Sequence, residues 1–265
     1  MTIAVVIPSW NPALLKECLN SFWDTAVLSE TLLIPVIPAD ILSEVKVTII
    51  DNRVVITDSY LGVLPAMDIG GASVFLEDTD IIGFVHDDVE MLEWGWDERL
   101  WALFNNPNIG LAGFGGAKGL GEDFIYQKPY ELTQLVRKDF RSNMVGWKIH
   151  GSHETYITRV AVLDGFSQFF RYSAYKAMGG WAQAIKDGLP PHHMYDAWAA
   201  CRMKELGLET WLLPLQCWHK GGMTATSAQY DTWLKTQGWN NDSEVHAKAH
   251  EVIYNRFRNV LPLRT

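Results

Sequence analysis

Two apolar patterns alternate along the chain: short continuous runs, and stretches whose apolar residues recur every three or four positions. Residues 3–7 form a β-branched run typical of a strand buried on both faces, and Pro8 ends it. Asn11 is placed as an N-cap with Pro12 at the first helical position. Leu15, Cys18, Leu19 and Phe22 follow at i, i+3, i+4 and i+7, which predicts one buried helical face. Residues 45–50 predict a second buried strand ending on Asp51-Asn52, and residues 61–72 a short helix containing a Gly-Gly pair. Residues 80–85 predict a third strand, ending on His86-Asp87-Asp88. Trp96, Leu100, Leu103 and Phe104 mark a helix that residues 105–107 stop, and residues 109–114 predict another strand.

Residues 115–160 break this rhythm, with Gly115, Gly116, Gly119, Gly121, Gly146 and Gly151 as joints, mixed charges and weak periodicity. A loop of that length in a compact domain is usually functional or disordered, so the segment reads as a partly mobile lid or a surface insertion. Beyond it, Ser173 is placed to cap a short helix that Gly179 closes. Met194, Ala197, Trp198 and Cys201 form a further apolar helical face ending at Gly207. Residues 210–217 predict a strand, and Val245, Ala249, Val252 and Ile253 a C-terminal helix. Strands alternating with helices argue for an α/β fold, a mostly parallel sheet flanked by helices.

Composition narrows the class. A chain of 265 residues suits one α/β domain, and 48% hydrophobic with 20% charged residues is an ordinary globular balance. The longest apolar stretch, residues 32–41, is too short for a membrane span and holds two prolines, and no signal peptide is read at the N-terminus. Cys18, Cys201 and Cys217 lack disulfide or metal spacing and read as buried thiols of a reducing compartment, so a cytoplasmic location is expected. A net charge of −9 disfavours nucleic acid as a partner, although Arg137, Lys138, Arg141 and Lys148 cluster in the lid segment. Twelve tryptophans suit core packing first and stacking on sugars second.

The candidate chemistry lies at strand ends. In open α/β sheets, ligands bind beyond the carboxyl ends of the strands. Asp87 and Asp88 sit there together, and two neighbouring acids need a cation or hydrogen-bond donors if they are buried. A hard divalent ion meets that need and can also hold a diphosphate. Asp51, ending the second predicted strand, can accept hydrogen bonds from a nucleobase or ribose. Asp196 opens a helix, where the macrodipole favours an ionised carboxylate suited to act as a base. His219, before Lys220-Gly221-Gly222, is a candidate metal ligand. Lys118, Arg171 and Lys220 are weaker candidates for phosphate contacts.

Taken in order, these motifs resemble the inverting glycosyltransferases of family two, which have the GT-A, Rossmann-like fold. The stretch from Val5 through Pro8, Ser9 and Trp10 to Asn11 resembles their opening strand and loop. Ile49-Ile50-Asp51-Asn52 resembles their nucleotide-binding acid, and Phe84-Val85-His86-Asp87-Asp88-Val89 their DxD metal motif. Asp164-Gly165-Phe166 through Phe170-Arg171, then Met178-Gly179-Gly180-Trp181, is similar to their acceptor-side stretch. Tyr195-Asp196 resembles the Glu-Asp motif that carries the base, and His219-Lys220-Gly221-Gly222 matches a late metal-binding histidine. The likeness covers about residues 1–115 and 160–222. Three positions depart from the pattern: His86 stands for the first DxD acid, Tyr195 for the acid before the base, and Arg53 follows the second-strand acid.

The resemblance implies one domain over residues 1–265: a nucleotide-sugar half to about 115, an acceptor-side insertion over about 116–160, an acceptor and catalytic half over about 161–222, and a helical extension over about 223–265. It implies a nucleoside-diphosphate sugar donor, most commonly uridine-based, held by Pro8, Ser9, Trp10 and Asp51, with Asp87 at the ribose or donor sugar. Asp88 and His219 would hold Mn²⁺ or Mg²⁺, and Asp196 would be the general base toward an acceptor hydroxyl on a glycan, protein, lipid-linked intermediate or modified base. Two other readings stand beside it. One is a two-metal hydrolase that adds His192 and His193 to the acids; the other is a carbohydrate-binding scaffold with weak or lost catalysis.

Overall fold

The computed structural model describes residues 2–45, 53–74, 79–127, 132–145, 151–222 and 227–265. In its first half the strands are β1 (Thr2–Pro8), β2 (Thr31–Pro38), β3 (Val55–Thr57), β4 (Thr79–Val85), β5 (Val89–Met91), β6 (Ile109–Gly113) and β7 (Gly115–Gln127). The remaining strands are β8 (Leu132–Ser142), β9 (Ser152–His153), β10 (Thr158–Arg159), β11 (Val162–Leu163), β12 (Ser167–Arg171), β13 (Glu209–Leu212), β14 (Cys217–His219) and β15 (Leu263–Arg264). Helices are α1 (Pro12–Thr25), α2 (Leu42–Val45), α3 (Val63–Ser73), α4 (Trp96–Phe104), α5 (Tyr172–Ala177), α6 (Gly180–Lys186), α7 (Tyr195–Glu205), α8 (Ala228–Thr236) and α9 (Asp242–Phe257).

The main sheet runs β10-β13-β6-β12-β4-β1-β2-β3. β1 pairs in parallel with β2 and β4, β2 with β3, and β6 with β13. β12 runs antiparallel between β4 and β6, and β10 is antiparallel at one edge. Alternation along β1 feeds two cores. Ile3, Val5 and Ile7 pack with α1 and α4 on one face, whereas Ala4 and Val6 pack with α3, α6, α7 and α9 on the other. The continuous apolar run in the sequence is therefore a strand with helices on both sides. Asn11 caps α1 as expected, accepting from the Ala13 and Leu14 amides at 3.1 and 3.2 Å. Gly70 is fixed by packing: a Cβ there would lie 2.3 Å from Val6 Cγ1 and 2.7 Å from Val36 Cγ2, so α3 rests its backbone directly on β1 and β2.

Four sequence expectations are corrected. β1 pairs on one side with β2, from a run that the sequence reading assigned to no element, while Val45 ends α2 and residues 46–52 lie outside the described residues. Pro35 fits because the carbonyl of Val36 faces β1, where it accepts from Ser9 N at 2.9 Å. Pro35 therefore turns its donorless nitrogen to the other side, where β3 begins only opposite Val36. Residues 210–217 split into β13 and β14, which belong to different sheets, with Pro214 between them. Ser173 lies inside α5, whose N-cap is Arg171 without a side-chain bond.

Residues 115–160 are the fourth. In place of a loop, β7, β8 and β9 of this segment join β11 in a second sheet, β11-β7-β8-β9, antiparallel except for the parallel β8–β9 pair, with β15 paired to β7. Among the described residues no helix is long and apolar enough to cross a membrane.

Candidate functional site

β1 and β4 are adjacent and parallel, so their carboxyl ends open on the same edge of the sheet. That places Ser9 against Asp87: the Ser9 hydroxyl donates to Asp87 Oδ2 at 2.5 Å and accepts from the Asn11 amide at 3.0 Å. Burial pushes the Asp87 carboxyl up to about 7; the Asp88 charge adds to this and the Ser9 hydrogen bond opposes it. Trp10 packs on Tyr60 with ring centroids 4.0 Å apart, and the Tyr60 hydroxyl meets His192 Nε2 at 2.8 Å. Pro8, Ser9, Trp10, Tyr60, Asp87 and Asp88 line a cleft of about 190 Å³. Asp51, expected beside them, lies outside the described residues.

The next element explains how Asp88 meets His219, 131 positions away in sequence. After β4 the chain turns into β5, which forms an antiparallel ribbon with β14 and sets His219 opposite Val89. The Lys220 amide donates to the Asp88 carbonyl at 3.0 Å, and the Phe166 ring stacks on the His219 imidazole at 4.6 Å. Asp88 Oδ1 lies 3.4 Å from His219 Nε2 and 3.9 Å from His86 Nδ1. Ligand atoms of His86, Asp88 and His219 all fall within 4.8 Å of one another. Burial pushes the Asp88 carboxyl up, but the His219 and His86 imidazoles outweigh it and hold the carboxyl below its usual range. Asp88 Oδ1 is sealed from solvent and, among the described residues, receives no hydrogen bond. A buried carboxylate oxygen facing two imidazoles fits a divalent cation, and a mixed oxygen and nitrogen set suits Mn²⁺ better than Mg²⁺.

Asp196 lies across the cleft wall. His193 and Met194 precede α7 with φ of 67° and 58°, a left-handed turn that non-glycine residues rarely adopt and that is over-represented at functional sites. The turn delivers Tyr195 and Asp196 as the first residues of α7, both buried. The Arg137 guanidinium, from β8, pairs with Asp196 and also approaches Asp164 Oδ2 at 3.5 Å. Burial pushes the Asp164 carboxyl up, but Arg137, the His219 and His86 imidazoles and the Phe166 amide together outweigh it and hold the group below its ordinary value. Arg137, Asp164 and Asp196 line a second cleft of about 480 Å³, which His246 and His250 of α9 also line. His86, His193 and Tyr195 line both clefts, so the two chambers meet at this wall.

The structure thus brings together Pro8, Ser9, Trp10, Asp87 and Asp88 around one cleft, with His219 against Asp88 and Asp196 behind the shared wall. The weaker phosphate candidates are engaged elsewhere. Arg171 donates to the Phe104, Asn106 and Ile109 carbonyls, Lys220 pairs with Glu17 and Glu90, and Lys118 lies 3.8 Å from Asp139. The hydrolase reading loses its second metal: His192 bonds Tyr60, His193 pairs with Asp242 at 2.6 Å, and one metal-type cluster is found among the described residues. Tyr60, Arg137 and Asp164 emerge from the fold as site residues without a role assigned in sequence. A His pair at i and i+4, His246 and His250, was a readable sign that α9 faces a cleft.

No protein-family model matches the chain, and no curated protein matches its sequence. Solved structures do. GalNAc-T7 with UDP, GalNAc and Mn²⁺ superposes over 89% of this chain at a TM-score of 0.60 and 12% identity. Residues 1–349 of S. aureus TarS match 98% of this chain at 0.54 and 11%. The fold is of the GT-A type. A 4-diphosphocytidyl-2C-methyl-D-erythritol synthase from Anaerococcus prevotii also superposes, over 89% of this chain at 0.50 and 8% identity. The GT-A chain described here spans 48% of the GalNAc-T7 chain and 73% of the TarS fragment.

Proposed function

We propose that this GT-A chain is a metal-dependent inverting glycosyltransferase that moves a sugar from a uridine-diphosphate sugar to an acceptor hydroxyl. The observation that carries the reading is the pair of clefts meeting at His86 and Tyr195, one holding a cation-type cluster and the other a buried carboxylate. GalNAc-T7, a structural neighbour, was solved with UDP and Mn²⁺.

In this reading Pro8, Ser9 and Trp10 grip the nucleoside, with Tyr60 behind Trp10 as a stacking platform. Asp51 joins them on the strength of the sequence motif. Asp87 faces the ribose or donor sugar. His86, Asp88 and His219 would hold Mn²⁺ or Mg²⁺, which supplies positive charge against the leaving diphosphate when bound. Asp196 accepts the proton of the attacking hydroxyl, a role typically worth about 10²–10⁴ in rate. Attack from the acceptor cleft, opposite the diphosphate, inverts the anomeric centre. Arg137 must yield part of its hold on Asp196 as the acceptor hydroxyl arrives, because a carboxylate fully engaged by a guanidinium has little to offer a proton.

The test is nucleoside diphosphate release from a panel of donor sugars with saccharide, protein and lipid-linked acceptors, with Mn²⁺ and with EDTA. The proposal expects acceptor-dependent, EDTA-sensitive release from one donor and a product of inverted configuration. Release without any acceptor, unaffected by EDTA, would refute it. The Arg137–Asp196 pair favours one other reading, a GT-A carbohydrate-binding protein whose base is permanently neutralised. That reading expects metal-dependent nucleotide binding with no turnover from any donor.

A further inference from the structure

The two departures from the family-two pattern within the described site, His86 and Tyr195, touch each other: His86 Nε2 and the Tyr195 hydroxyl are 2.5 Å apart. The second neighbour of that hydroxyl is the Gly165 carbonyl, at 3.4 Å. A carbonyl can only accept, so the single phenolic proton goes to Gly165 and the hydroxyl oxygen receives the Nε2–H of His86. That arrangement corresponds to the Nε2–H tautomer of the imidazole. Nδ1 then carries a lone pair, and it faces Asp88 Oδ1 at 3.9 Å. Asp88 Oδ1 is buried without a hydrogen bond among the described residues, and a partly exposed imidazole lone pair turned toward it leaves two acceptors that a cation would satisfy together; metal-bound histidines commonly donate their other ring N–H to a supporting group.

The seat of the phenol is tightly determined. A Cβ on Gly165 would lie 2.6 Å from the Tyr195 hydroxyl, so a side chain there would push the ring off His86. Trp181 packs edge-on against the Tyr195 ring at 5.9 Å, and the left-handed turn at His193 and Met194 sets where α7 begins.

We propose that Tyr195 is the positioning residue of the cation site, its hydroxyl holding His86 with Nδ1 bare and aimed toward Asp88. The inference rests on the metal site proposed above. Because Tyr195 precedes Asp196, one helix start then governs both the cation shell and the proposed base.

The experiment is a Mn²⁺ titration, followed by the electron paramagnetic resonance signal of free Mn²⁺, with and without uridine diphosphate. Wild-type protein is compared with Tyr195→Phe, His86→Ala and the double variant, each checked for folding by circular dichroism. Loss of the supporting hydroxyl is expected to weaken Mn²⁺ binding about 10–100-fold. In the His86→Ala background the same change is expected to have no further effect, as required of a residue that acts through His86. A Tyr195→Phe affinity within about twofold of wild type, or two effects that simply multiply, overturns the proposal while leaving the metal site standing. A wild-type protein that binds no Mn²⁺ in either condition overturns the metal reading itself.

Discussion

Arg137, on β8 of the second sheet, is ion-paired with Asp196 at the start of α7 and reaches Asp164 as well. One guanidinium therefore serves two carboxylates in a cleft wall, and it ties the segment that looked like a lid to the proposed base. Arg137→Met is expected to leave both acids without a counter-charge and to destabilise the fold. Full burial would put the cost at about 3–5 kcal/mol; the partial exposure of Arg137 and Asp164 lowers the expectation to roughly 1–3 kcal/mol. Urea unfolding measures it, and an unchanged midpoint would mean that the pair contributes nothing.

Asp196→Asn keeps the size of the side chain and removes its charge. Transfer is expected to fall by about 10²–10⁴ while nucleotide affinity stays within about twofold, because Asp196 lines the cleft proposed for the acceptor and not the one proposed for the nucleotide. Calorimetry with uridine diphosphate and Mn²⁺ separates the two effects. A matching loss of nucleotide affinity would remove the base assignment.

Elements with a clean period were legible before the structure. β1, α1, β4, α4 and α9 each carry an unbroken run or a 3.6-residue stripe that survives into the packed core. β2 was not, because Pro35 suits a strand only where no neighbour needs its N–H, and that depends on β3 beginning no earlier than opposite Val36. The β7–β8 hairpin was not, because its glycines read as loop joints; Gly115 and Gly116 instead make room for Phe166 and Val162 across the sheet. At the site, Ser9, Asp87, Asp88 and His219 were visible because strand ends and adjacent acids leave a local mark. Arg137 and Tyr60 gave none, since their roles come from tertiary placement. His86 was read as a gap in the acid motif, and the fold shows an imidazole within reach of Asp88.

Acidification is expected to destabilise the metal-free protein. Burial, aided by His193 and His246 respectively, holds His192 and His250 at about 3, whereas an unfolded histidine takes up its proton near 6.5. Their stabilising contribution is present above pH 6.5 and is lost as pH falls toward 3. Asp87 has the opposite sign: burial raises it to about 7, so its contribution is present at low pH and is lost as pH rises through 7. Burial also lowers His246, to about 4, so between pH 6 and 5 the unfolded chain holds three histidine protons and the folded chain the one Asp87 proton. The net two protons give a loss of about 2.7 kcal/mol per pH unit. Denaturant midpoints measured across that range check the slope, and a flat profile would contradict it.

Trp10 and Tyr60 form the wall on which a nucleobase would rest. Trp10→Ala is expected to weaken uridine diphosphate binding about 3–10-fold, the equivalent of one aromatic stacking contact. Inorganic diphosphate, which has no base, is expected to bind both proteins equally. Equal loss for both ligands would move the base away from this wall.

The central claim is a metal-dependent nucleotide site at the carboxyl edge of the sheet. The most direct test is thermal stability against a panel of nucleoside diphosphates, each with and without Mn²⁺, for wild type and Asp88→Ala. A ligand at 100 times its Kd stabilises the folded state by about 2.7 kcal/mol, enough to raise the melting temperature visibly. The account predicts a Mn²⁺-dependent rise with a single nucleotide, uridine diphosphate, that Asp88→Ala abolishes. Well-folded wild-type protein that shows no shift with any nucleotide, or a shift that survives both EDTA and Asp88→Ala, would contradict it.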